Sequence, residues 1–184
     1  MILWTFLIFI SSLGIHGCAT APPPRADSPP VPLAKANLEA VLEEHEGLEV
    51  LWENAKEVRD FYRGGVQQKA LAEAKYREKS YSEALRLYDK SEEFFLVVLK
   101  YLNHDSCEYM LFEGTHILFL PNLLMADNFL KAGKILKEMG RESSARRQWR
   151  AALPYIQQSL RCENTEWGQA IERELNSLLE PPKG

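Results

Sequence analysis

The chain has 184 residues, 46% of them hydrophobic and 26% charged. That length suits one domain with short appendages, and the composition excludes wholesale disorder. A formal net charge of −4 excludes the basic face that nucleic-acid binding requires, and no polybasic segment points to anionic lipid.

The chain opens on an apolar run. Residues 1–10 read MILWTFLIFI, the apolar character continues through Leu13 and Ile15, and the first charged residue is Arg25. The run is too short to span a hydrocarbon core of about 30 Å, but it suits the apolar region of a signal peptide. It ends at Ile15-His16-Gly17-Cys18: an aliphatic residue, a variable one, a small one and a cysteine. This motif resembles the bacterial lipobox. The resemblance implies a signal peptide over residues 1–17, cleavage before Cys18, and fatty acylation (diacylglycerol, palmitate) of Cys18. Two or more acyl chains on one residue anchor a protein stably where one does not. Ala19 in the next place implies the outer membrane, at its periplasmic face, over the inner membrane. Residues 18–32 follow as CATAPPPRADSPPVP. A proline-rich, core-poor stretch favours extended polyproline II and serves as a tether.

From Leu33 the composition shifts to amphipathic helix, and residues 33–180 read as one all-α domain, with 181–184 a tail. Leu38, Val41, Leu42, Leu48, Leu51, Ala55, Val58 and Phe61 recur at three- and four-residue steps along a first helix. Gly64-Gly65 is expected to end it, and Gly47 marks a possible break. His45 falls on its apolar side as a packed core residue. Further helices are expected over 66–78, 81–102, 121–139, 143–160 and 165–179. Pro121 suits a first helical turn, and Pro154 is a point where its helix would kink. Residues 108–120 carry two short apolar runs around Gly114. Length does not decide between helix and strand there, and buried helix fits the helical surroundings better.

Two segments repeat each other. Residues 68–91 and 129–152 align Ala72 with Gly133, Ala84 with Ala145, Tyr88 with Trp149 and Ser91 with Ala152, at a constant offset of 61. Small residues on two helices allow close approach, and the aromatic one turn later fills the space between them. This spacing resembles the tetratricopeptide repeat, a helix-turn-helix unit of about 34 residues. The match lies in Ala84, Tyr88 and Ser91, in Ala145, Trp149 and Ala152, and in Leu71-Ala72 and Ala132-Gly133. The sequence departs from the repeat in having Gln68 and Phe129 where Trp is favoured, and in an offset that is not 34. A degenerate third hairpin over 92–124 would account for the offset. The expected fold is therefore a tetratricopeptide-like stack of helical hairpins, closed by a capping helix over the last segment.

The resemblance also implies sites. Equivalent helices run parallel in such a stack, which brings Cys107 and Cys162 close, and export delivers them to an oxidising compartment; a Cys107–Cys162 disulfide is expected. The groove of the stack is lined from first helices, which makes Gln68, Lys69, Glu73, Tyr76, Asn128, Lys131, Lys134 and Ile135 the partner-binding candidates. Lys69 stands where some tetratricopeptide clamps hold a carboxylate, but Glu73 stands where they want Asn, so an acidic tail is not the expected ligand.

Chemistry is sparse. His104 beside Cys107 suggests a nucleophile and base, but a disulfide would remove the thiolate. His104, Cys107 and His116 match no compact zinc spacing, so no metal or other cofactor is expected. Glu43-Glu44 and Glu92-Glu93 read as solvated helix faces. The expected function is non-enzymatic: a membrane-anchored periplasmic adaptor or assembly factor that binds protein partners of an envelope complex, with no small-molecule substrate. The alternative is an envelope enzyme or accessory subunit using residues 104–116.

Overall fold

The computed structural model describes residues 55–101 and 119–180. The lipobox and Cys18, the tether, residues 33–54 with His45, and His104, Cys107 and His116 lie outside the described residues. Five helices follow in order: α1 Ala55–Arg77, α2 Tyr81–Tyr101, α3 Phe119–Glu138, α4 Glu142–Cys162 and α5 Glu166–Leu179. They form an all-α antiparallel stack. Each helix packs on the next in sequence, and α1 also meets α3, as α3 meets α5. No described helix is long and apolar enough to cross a membrane.

The two hairpins, α1–α2 and α3–α4, repeat down to the hydrogen bonds of their turns. The Lys79 N–H donates to Tyr76 and the Ser80 N–H to Lys75; 61 residues on, Gly140 donates to Lys137 and Arg141 to Leu136. This pair of bonds is the Schellman arrangement, which satisfies the last carbonyls of a helix and needs a left-handed residue. Lys79 (φ 60°) and Gly140 (φ 74°) occupy that place. Beyond each turn, Ala84 and Ala145 are fully buried, as are Tyr88 and Trp149 and then Ser91 and Ala152. The third helix pair expected over 92–124 does not separate the hairpins. Residues 92–101 prolong α2 and 119–124 open α3, and these two helices pack directly on one another.

Gly64-Gly65 does not end a helix, contrary to the expectation from sequence; α1 runs through both. The reason is close approach. A Cβ on Gly65 would stand 2.7 Å from the Phe95 ring, so the missing side chain admits an aromatic from α2. The helical cost of glycine, about 1 kcal/mol, is set against burial of Phe95, which contributes about 1.5–3 kcal/mol.

Pro154 lies inside α4 without ending it. Pro121 falls in the first turn of α3, where no intrahelical N–H partner is lost. The Thr165 hydroxyl caps α5 by accepting from the Gly168 N–H at 3.0 Å. α5 buries Trp167, Ile171 and Leu175 against the stack, while the Arg146 guanidinium donates to the Leu179 carbonyl at 2.9 Å.

Candidate functional site

Lys69 is 1% exposed, which a lysine tolerates only when its ammonium is fully partnered. Its Nζ donates to Asp127 Oδ2 and, at 2.9 Å, to Asn128 Oδ1. Glu73 lies 3.6 Å away, one turn on along α1. The Asn128 amide donates in turn to Ser91 Oγ at 2.9 Å, and the Ser91 hydroxyl to the Gly65 carbonyl at 2.7 Å. The chain of bonds starts on α1, crosses α3 and α2, and returns to α1. Lys131 completes it, 2.8 Å from Asp127 and also bonded to Glu73. The Tyr88 ring lies beneath the Lys69 ammonium at 5.6 Å, within range of cation–π attraction.

Two ammonium groups and two carboxylates balance in this cluster. Burial works to raise the Asp127 carboxyl, but Lys69 and Lys131 outweigh it and hold its pKa at about 2. Burial pulls Lys69 below its ordinary value against the attraction of Asp127. The same burial acts on Lys131, but there Asp127 and Glu73 prevail and the pKa rises. Nearby on α2, burial and the Asp89 carboxylate push Glu92 up to about 8 against the pull of Lys69.

Of the eight groove candidates, four are thus brought into one network: Lys69, Glu73, Asn128 and Lys131. Their bonds run between helices. Lys69, Asn128 and Ile135 are buried, so they present nothing to a partner; Ile135 packs with Ala72, Ala84, Leu87 and Tyr88. Tyr76 stands apart, its hydroxyl donating to Glu138 at 2.6 Å. That bond, with burial, lifts the phenol to about 12. Lys134 reaches Glu174 on α5 at 2.6 Å, and Gln68 is half-buried. The first-helix face is therefore a ladder of cross-links, α1 to α3 and α3 to α5.

Asp127, Ser91 and Glu92 were not among the binding candidates. Asp127 carries a sequence signal: an acid directly after the apolar run Leu123-Leu124-Met125-Ala126, four residues before Lys131. An i,i+4 acid–base pair set into an apolar face marks a polar seam.

Cys162 is buried at the end of α4 and disulfide-bonded. Cys107, its expected partner, lies outside the described residues, as does Cys18. Leu96, Leu99 and Lys100 of α2, Asn122 of α3 and Pro154, Tyr155 and Gln158 of α4 line a cleft of about 620 Å³. Among the described residues no cluster of His, Cys, Asp or Glu has the grouping of a metal site.

Comparison with known proteins finds no matching family model, no matching curated protein and no matching solved structure.

Proposed function

We propose that the protein is a lipid-anchored envelope protein whose helical domain, of tetratricopeptide type, acts as a protein-interaction adaptor or assembly factor at the periplasmic face of the outer membrane. The observation that carries the reading is the repetition of the two hairpins, turn for turn and aromatic for aromatic, at an offset of 61. Stacked hairpins present an extended face on which a peptide or helix lies. The Ile15-His16-Gly17-Cys18 motif and the proline-rich stretch after it support an anchor and a spacer. On that face Gln68, Tyr76, Glu73, Lys131 and Lys134 keep partial exposure, and these are the positions from which a partner is met.

Two measurements test the reading. Cys18→Ser is expected to release the protein from the membrane fraction; unchanged association refutes the lipid anchor. A photo-crosslinking residue at Gln68 or Lys134 is expected to trap a discrete protein in cells, whereas one at Arg150, exposed on α4, is not. Equal labelling from both faces, or none from the first-helix face, refutes the adaptor role.

A further inference from the structure

The core is not continuous. One apolar cluster runs from Val58 and Phe95 through Leu120, Leu123, Leu124 and Leu130 to α4 and α5. A second joins Ala72, Ala84, Leu87, Tyr88 and Ile135. Lys69, Ser91, Asp127 and Asn128, all buried, form a polar layer where the two hairpins meet. We propose that this layer is a register lock: it selects the one longitudinal setting of α3 against α1 and α2 from which the first-helix face takes its shape.

Burial of apolar surface is non-directional, so leucines on α3 are interchangeable in a way that charges are not. Slide α3 by one turn, four residues, in one direction, and the places of Asp127 and Asn128 are taken by Leu123 and Leu124. The Lys69 ammonium is then left among leucines with only Glu73 in reach, and Lys131 is carried into the place of buried Ile135 in the second apolar cluster. Slide it the other way and Lys131 takes the place of Asp127, setting one ammonium against another inside the protein. Both neighbouring settings thus bury an uncompensated charge, which is far costlier than a lost apolar contact. The Asn128–Ser91–Gly65 relay adds direction, since each hydroxyl and amide has one donor and one acceptor used. A single buried polar residue is known to fix register between helices in this manner. The proposal concerns the setting of the helices and does not depend on what binds the face.

The test replaces the layer, with the Lys131 that completes it, by apolar groups of similar size in the full chain, as K69M/D127L/K131M and as K69M/D127L/N128L/K131M. Helicity and cooperative unfolding are expected to persist. Amide NMR spectra are expected to change from one set of signals to two in α1 and α3. In the second set Tyr76, which meets Glu138 in the native setting, is expected to show contacts to Lys134, one turn back. A single native set in the folded variants overturns the proposal, and so does a second set without the Tyr76–Lys134 contact. If neither variant folds, the layer drives folding itself rather than choosing a register, and the proposal is likewise overturned.

Discussion

The indole of Trp149 lies against Gly133 so closely that a Cβ on that glycine would stand 2.2 Å from Nε1. The ring nitrogen donates to the Leu130 carbonyl at 3.3 Å, and Trp149 is fully buried. The contact sets the spacing of α3 and α4. An alanine in an open helix position would add up to about 1 kcal/mol over glycine. Here the methyl has to displace a tryptophan, and overpacking of this kind costs roughly 1–3 kcal/mol. Gly133→Ala is therefore expected to lower the urea midpoint with an unchanged slope. A raised midpoint would mean that the close approach is not what holds the hairpin.

Much of this hairpin was legible in sequence. The pairing of Ala72 with Gly133 and of Tyr88 with Trp149 follows from residue size at fixed spacing, and close packing of helices leaves few alternatives. Gly64-Gly65 misled, because glycine stops a helix in one context and admits a neighbouring ring in another, and only the position of Phe95 decides which. Lys69 misled for a related reason. Amphipathic patterning counts a lysine as solvent-facing unless its partners are known, and Asp127 and Asn128 lie 58 and 59 residues away. Local periodicity locates helices and their apolar faces; a polar seam belongs to the pairing of distant helices.

Lys79 and Gly140 stand at equivalent left-handed turns, but only glycine adopts that conformation without a steric penalty of roughly 1–2 kcal/mol. Lys79→Gly is expected to stabilise the domain by several tenths to about 1 kcal/mol. Gly140→Ala is expected to destabilise it by a similar amount although nothing lies within 4 Å of its Cβ position. Thermal unfolding of the two variants gives opposite shifts if the turns are equivalent, and shifts of the same sign if they are not.

Cross-links on the first-helix face differ in worth by their burial. Asp127 is 5% exposed at its side chain, against 36% and 44% for Lys134 and Glu174. Asp127→Ala leaves Lys69 buried without its hydrogen-bonded carboxylate, with only the more distant Glu73 to offset it, and is expected to cost on the order of 3–5 kcal/mol. Lys134→Ala removes a solvated pair and is expected to cost at most about 1 kcal/mol, less in high salt. Chemical denaturation at two salt concentrations separates the cases. A Lys134 effect as large as that of Asp127 would contradict the assignment of the buried layer.

Glu92 gives the domain a stability that falls with alkalinity. Its Oε1 is buried without a hydrogen-bond partner, and burial together with Asp89 raises its pKa from 4.5 to about 8. Between those two values the folded chain holds a proton at Glu92 that the unfolded chain has released. Stability from this group is therefore fully present below about pH 4.5 and lost progressively as pH rises to about 8, beyond which the loss is complete. The slope from one proton does not exceed about 1.4 kcal/mol per pH unit. Glu92→Gln keeps the shape and removes the titration. It is expected to flatten the pH dependence of the unfolding free energy across this window and to leave the variant more stable than the parent near pH 8. The groups facing Glu92 act with opposite signs, Lys69 from α1 favouring the carboxylate and Asp89 on α2 opposing it. Asp89→Asn is expected to shift the end of the window to lower pH. Parallel stability curves for the parent and Glu92→Gln from pH 5 to 9 would show that the carboxyl reaches solvent in the folded protein.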